Sequence, residues 1–185
     1  MQSNPFHPRS KKNIKMKYRI GQIVPSSNVT METEIPAIFR SRETILPERF
    51  TFHSSRMRMK KVTKEELEAM DAMSLKCAQE LSDAHVDVMG YACLVAIMSI
   101  GRGYPCVPDV HLHQETVAND FPTPIVTSAG ALINGLKVLG AKQISIITPY
   151  MRPLTDMVVD YIENQGIKVK QSIALEIPDN LEVAA

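Results

Sequence analysis

From Tyr18 onward, short runs rich in β-branched and apolar residues alternate with longer stretches whose apolar positions recur every three or four residues. That alternation predicts βαβ units around a parallel sheet, hence an α/β fold. Strands are expected at Arg19 to Val24, Arg49 to Ser54, Val86 to Ala92, Pro124 to Thr127, Gln143 to Thr148 and Lys168 to Leu175. The best-defined helix runs from Thr63 to Ala84. There Thr63 and Glu66 form a T-x-x-E capping box, and Leu67, Met70, Ser74, Cys77 and Leu81 share one stripe. Further helices are expected at Ala129 to Leu139, closed by Gly140, and at Pro153 to Gln165, closed by Gly166. A boundary near residue 140 leaves four strands before it and two after it. Because two strands are marginal as a domain, the last segment either extends the first sheet or belongs to a second, incomplete α/β domain.

Parallel strands carry their carboxyl ends to one edge, and ligands of open α/β sheets bind outside that edge. The expected tips are Pro25-Ser26-Ser27-Asn28, His53-Ser54-Ser55-Arg56, Cys93, Thr127-Ser128, Thr148-Pro149-Tyr150 and Pro178-Asp179-Asn180. Amides, hydroxyls and helix N-termini in such numbers suit an anionic ligand. Singly, each has a plainer role: Asn28 can cap the next helix, Asn180 can sit in a turn, and Tyr150 can pack. Together they predict a binding cleft at this edge.

Cys93 is the candidate nucleophile. Free cysteine is often merely buried, as Cys77 on its helical stripe is expected to be. Cys93 differs by position, since Leu94-Val95-Ala96-Ile97 after it looks like a first helical turn, and a helix N-terminus favours the thiolate. His53 is a possible base for it, as in acyl-transfer enzymes, but no nucleophile elbow accompanies the pair. The Asp109, His111 and His113 group resembles a metal cluster. On a helix, however, the two imidazoles would point about 200° apart, so no metal is expected.

Composition narrows the setting. Hydrophobic content is 44% and charged content 22%, ordinary for a globular protein, and no apolar run approaches the length of a bilayer span. The net charge of +1 hides an asymmetry: Arg9, Lys11, Lys12, Lys15, Lys17 and Arg19 face no acid within residues 1–20. The remainder holds 15 basic against 20 acidic residues, which argues against a nucleic-acid partner. Residues 1–17 read as a basic disordered extension without the apolar core of a secretory signal. Three cysteines at spacings of 16 and 13 fit neither a metal pattern nor a disulfide framework, so a reducing cytoplasm is expected.

Five segments now combine: Val24-Pro25-Ser26-Ser27-Asn28, Phe52-His53-Ser54-Ser55-Arg56-Met57-Arg58, Tyr91-Ala92-Cys93-Leu94-Val95-Ala96, Pro149-Tyr150-Met151-Arg152-Pro153 and Glu176-Ile177-Pro178-Asp179-Asn180. In order and spacing they resemble the maleate cis-trans isomerases of the aspartate/glutamate racemase superfamily, from Tyr18 to Val183. The resemblance implies a three-layer αβα first domain (residues 18–140, carrying Cys93) and a partial second α/β domain (residues 141–185). It implies a cofactor-free enzyme, often serving nicotinate degradation, that turns maleate into fumarate. Its partners would be a small dicarboxylate and further copies of itself, not a membrane or nucleic acid. Carried over by position, Cys93 is the nucleophile, and Asn28, Leu94, Val95, Tyr150 and Asn180 bind substrate. The resemblance also implies a second cysteine on a later strand, beyond Ala185, so the chain is expected to be a shortened form. Two other readings remain open: a non-catalytic dicarboxylate-binding fragment, and a related cysteine-dependent decarboxylase or racemase.

Overall fold

The computed structural model describes residues 17–59, 64–94, 107–178 and 182. The basic segment 1–16, the Thr63–Glu66 capping box, Val95, Cys106 and Asn180 therefore lie outside the fold account below. In chain order the elements are β1 (Lys17–Pro25), α1 (Thr30–Arg42), β2 (Arg49–Met57), α2 (Lys64–Asp83), β3 (Val88–Tyr91), α3 (Val107–Ala118), β4 (Ile125–Thr127), α4 (Ser128–Val138), β5 (Gln143–Thr148), α5 (Arg152–Asn164) and β6 (Lys168–Ala174). Strands β2-β1-β3-β4 form one sheet and β5-β6 another, and every pairing is parallel.

The first sheet is organised around β1, whose residues 20–25 are all buried. Both neighbours pair with it, so both of its faces must be covered, as parallel sheets require. Helix α2 covers one face through the predicted stripe, with Met70, Ser74, Cys77 and Leu81 buried. Gly21 permits this approach: a Cβ there would meet Val86 Cγ2 at 3.0 Å and Met89 Cγ at 3.1 Å. On the other face, the α1 residue Phe39 packs edge-on against Phe50 and Phe52 of β2. Gln22, buried in β1, donates from Nε2 to the Met31 carbonyl at 3.1 Å and so ties α1 to the sheet.

Strand β1 runs longer than expected at both ends, β3 is shorter at both and β6 ends one residue early; two further ends differ for identifiable reasons. Strand β4 begins at Ile125 because Pro124 has no N–H to give the ladder; its carbonyl accepts instead from Met89 N at 2.9 Å. Strand β2 continues past Ser54 to Met57, so His53, Ser54 and Ser55 lie inside the strand and not at its tip. Their polar groups are satisfied in place. Ser55 Oγ donates to Glu80 Oε2 on α2 at 2.7 Å, and His53 Nε2 lies 3.0 Å from Thr51 Oγ1.

The second sheet is thinner. Helix α5 packs on it through Thr155, Val158 and Ile162, all buried. Its opposite face leaves Ile147 68%, Ile173 53% and Leu175 55% exposed. A two-stranded parallel pair open on one face should breathe more than the four-stranded sheet. Native-state hydrogen exchange should therefore find the amides of Ile147 and Ile173 at least about tenfold faster than those of Ile23 and Tyr91. Equal protection would contradict this picture.

Candidate active site

Cys93 reaches the sheet edge because the ladder carries it there. Tyr91 is in register with Ile23, and Ala92 N then donates to the Ile23 carbonyl at 2.9 Å, holding the chain beside β1 for one residue more. Cys93 follows at the level of Pro25. It is 7% exposed, sits in no disulfide, and precedes Leu94, whose backbone is helical. The thiol is thus at the floor of the edge.

Asn28 lies three residues beyond β1 at the same edge. Its Oδ1 accepts from Met31 N at 3.1 Å, the helix-capping role open to it from sequence, and its carbonyl accepts from Arg56 Nη2 at 2.7 Å. Capping uses the oxygen only. A carboxylate would call on the amide N–H donors. Arg56 also pairs with Glu32 at 2.9 Å and so serves the α1–β2 junction.

Tyr150 comes from the other sheet, two residues past β5. Its neighbour in charge is Cys93. Burial first, and then the negative charge Cys93 would carry as thiolate, push the phenol from 10.0 up to about 12. Both causes penalise the phenolate, so at neutral pH Tyr150 stays a hydrogen-bond donor close to the thiol. The backbone of its turn is held by the segment after β6, with Glu176 N donating to the Tyr150 carbonyl at 3.3 Å and Ile177 N to the Pro149 carbonyl at 2.9 Å. On the adjoining helix, Arg152 pairs with Asp156 and donates to Ser172 Oγ of β6 at 3.0 Å.

Tyr150 and Cys93 are thus coupled, Asn28 and Leu94 follow the ends of β1 and β3, and Val95 and Asn180 lie outside the described residues. His53 does not join them. It pairs in register with Gly21, two residues back from the Ile23 level, and β1 separates its strand from β3. In α3, His113 Nδ1 sits 2.8 Å from the Thr123 carbonyl and His111 is exposed. Among the described residues no group of three His, Cys, Asp or Glu is placed to hold a metal ion, and no helix is long and apolar enough to cross a membrane. Sequence reasoning overlooked Thr155, whose hydroxyl underlies the Tyr150 turn; its only signal was a threonine in the first turn of the helix after a strand-end threonine.

Residues 20–185 match the family model described as arylmalonate decarboxylase. A maleate isomerase of Pseudomonas putida is 64% identical over 167 residues, covering 90% of this chain and 67% of the relative. The chain belongs to the maleate isomerases of that family. Its fold agrees closely with the maleate isomerase of Pseudomonas putida S16, in a cysteine-to-alanine form with maleate (TM-score 0.87, 65% identity). A Nocardia farcinica maleate cis-trans isomerase, a cysteine-to-serine mutant with a covalently bound succinylcysteine intermediate, also matches (TM-score 0.84, 44% identity, 90% of this chain and 67% of that one). The chain spans about two thirds of the length of these isomerases.

The Tyr150 environment makes a prediction about alkaline stability. A phenol whose pKa is raised on folding stabilises the native state while protonated; that contribution is complete below pH 10 and is lost as pH rises toward about 12. Tyr150→Phe should flatten the fall in denaturation midpoint across this window. An equally steep fall in both proteins would contradict the buried, thiol-facing placement.

Proposed function

We propose that this chain carries the nucleophilic half of a maleate isomerase site, in a cleft between the two sheets, and isomerises maleate to fumarate without a cofactor. The observation that carries the proposal is Cys93 at the end of β3, with a phenol that keeps its proton facing it. The covalent succinylcysteine named for the Nocardia relative supports a cysteine as the attacking group.

The chemistry follows from the substrate. Rotation about the maleate double bond is blocked until that bond loses its π character. Attack of the Cys93 thiolate at C2 forms a C–S bond and sends the π pair toward C3 and its carboxylate, which becomes an aci-carboxylate. The C2–C3 bond is then single and turns. Return of the electron pair breaks the C–S bond, expels the thiolate and leaves fumarate, with no net oxidation and no water consumed. A proton taken up at C3 would give a succinyl-cysteine and must be removed again before the thiolate leaves.

Charge is the chief obstacle, since an anionic sulfur adds to a dianion. Donors fixed in place before the reaction lower that barrier more than solvent can. Tyr150 is one such donor, the Asn28 amide a second, and Leu94 and Val95, just after Cys93, are proposed to give backbone N–H groups to a carboxylate. Asn180 is proposed for the same work. A second reading is dicarboxylate binding without turnover.

The two readings separate in one assay. With the purified chain, the vinyl proton signal of maleate should give way to that of fumarate, and Cys93→Ala should slow the conversion by roughly a thousandfold or more. Equal rates for parent and variant would remove Cys93 from the mechanism. Saturable maleate binding with no fumarate from either protein would favour the binding-only reading.

A further inference from the structure

We infer that Thr148 and Thr155 form a buried hydroxyl pair whose task is to position Tyr150 against Cys93. The inference rests on the role given to Tyr150 above and extends it to two residues that touch no substrate. Thr148 ends β5 and Thr155 lies in the first turn of α5, so the pair bridges the two ends of the turn that carries Pro149, Tyr150 and Met151. Both side chains are buried, at 6% and 0% exposure. Their Oγ1 atoms are 2.6 Å apart.

Thr155 Oγ1 also lies 3.3 Å from the Met151 carbonyl and 3.4 Å from the Tyr150 carbonyl, both acceptors only. Either hydroxyl can donate in the short bond; when Thr148 donates, the Thr155 proton is left to those carbonyls. The Thr148 hydroxyl thus holds Thr155, and Thr155 lies against the carbonyls of Tyr150 and Met151, which follow the Tyr150 Cα in the chain. From the far side, Glu176 N holds the same Tyr150 carbonyl at 3.3 Å, and Leu175 N holds the Thr148 carbonyl at 2.9 Å.

A ring set only by its own rotamers would swing with the turn. Tyr150 follows Pro149 and precedes Met151 and a helix with proline in its first turn, so the segment has few other states once both carbonyls are anchored. Hydroxyls buried in an apolar layer are costly unless paired, and replacing both by apolar groups of the same shape can be nearly neutral. The pair is therefore worth more to geometry than to stability.

The test uses Thr155→Val, Thr155→Ser and the double variant T148V/T155V in the 185-residue chain, with Tyr150→Phe as reference. Thr155→Val strands the Thr148 hydroxyl and so also perturbs folding; the double variant strands nothing and keeps the test open. The readout is the titration of Tyr150, taken from selectively labelled tyrosine spectra and assigned by the signal missing in Tyr150→Phe. Cys93 is the ionisable group that reaches this phenol. In the double variant Tyr150 should lose the part of its upward displacement that Cys93 causes while keeping the part due to burial, and Thr155→Ser should keep both. Maleate turnover should fall in the double variant by at least half of the fold-change seen in Tyr150→Phe. A Tyr150 titration unchanged in the double variant would overturn the positioning role. If Tyr150→Phe leaves turnover intact, the donor role assigned to Tyr150 is wrong, while the titration still decides the positioning.

Discussion

The register between β1 and β3 is the constraint on which the rest depends. Pairing Ile23 with Tyr91 carries Ala92 onto the Ile23 carbonyl and sets Cys93 level with Pro25. A slip of one residue would reverse which face each β3 side chain meets and turn the Tyr91 ring away from the α2 layer. Close packing opposes that slip. Gly21 leaves room for Val86 and Met89 under α2, and Gly90 leaves room for the Met31 methyl, which a Cβ would meet at 3.0 Å. Cys93, the proposed nucleophile, is thus placed by backbone pairing and core packing.

A rigid thiol alone is not a catalyst for this reaction. It needs a partner that stays protonated when the thiol does not. The second sheet supplies one: Tyr150 follows the β5 tip, and burial together with the charge Cys93 would carry keeps its phenol protonated. The thin β5-β6 sheet, open on the side of Ile147 and Ile173, therefore carries a group on which the proposed chemistry relies.

Much of this was legible in the sequence. Glycine stops at Gly140 and Gly166 and the β-rich runs located the strands, and the stripe Met70, Ser74, Cys77 and Leu81 gave the buried face of α2. The place of Cys93 followed from the strand-end rule. What sequence could not show were partners distant along the chain. Ser54 and Ser55 look like a loop until Gln22 and Glu80 are brought beside them, 32 and 25 residues away, which is why β2 runs longer than its polarity suggests. Asn28 is another case, since its cap and its placement at the cleft coexist. The Thr148 and Thr155 pair is a third: two ordinary threonines, seven residues apart, become a unit only when helix α5 folds back on β5.

The central claim is that the sulfur of Cys93 bonds to a carbon of the substrate. Rapid acid quenching of the chain mixed with maleate, followed by digestion and mass analysis, reads that bond directly. A succinyl adduct confined to the peptide holding Cys93, and absent from those of Cys77 and Cys106, is the predicted result. An adduct on either of those cysteines instead, or none while fumarate accumulates, would contradict the account.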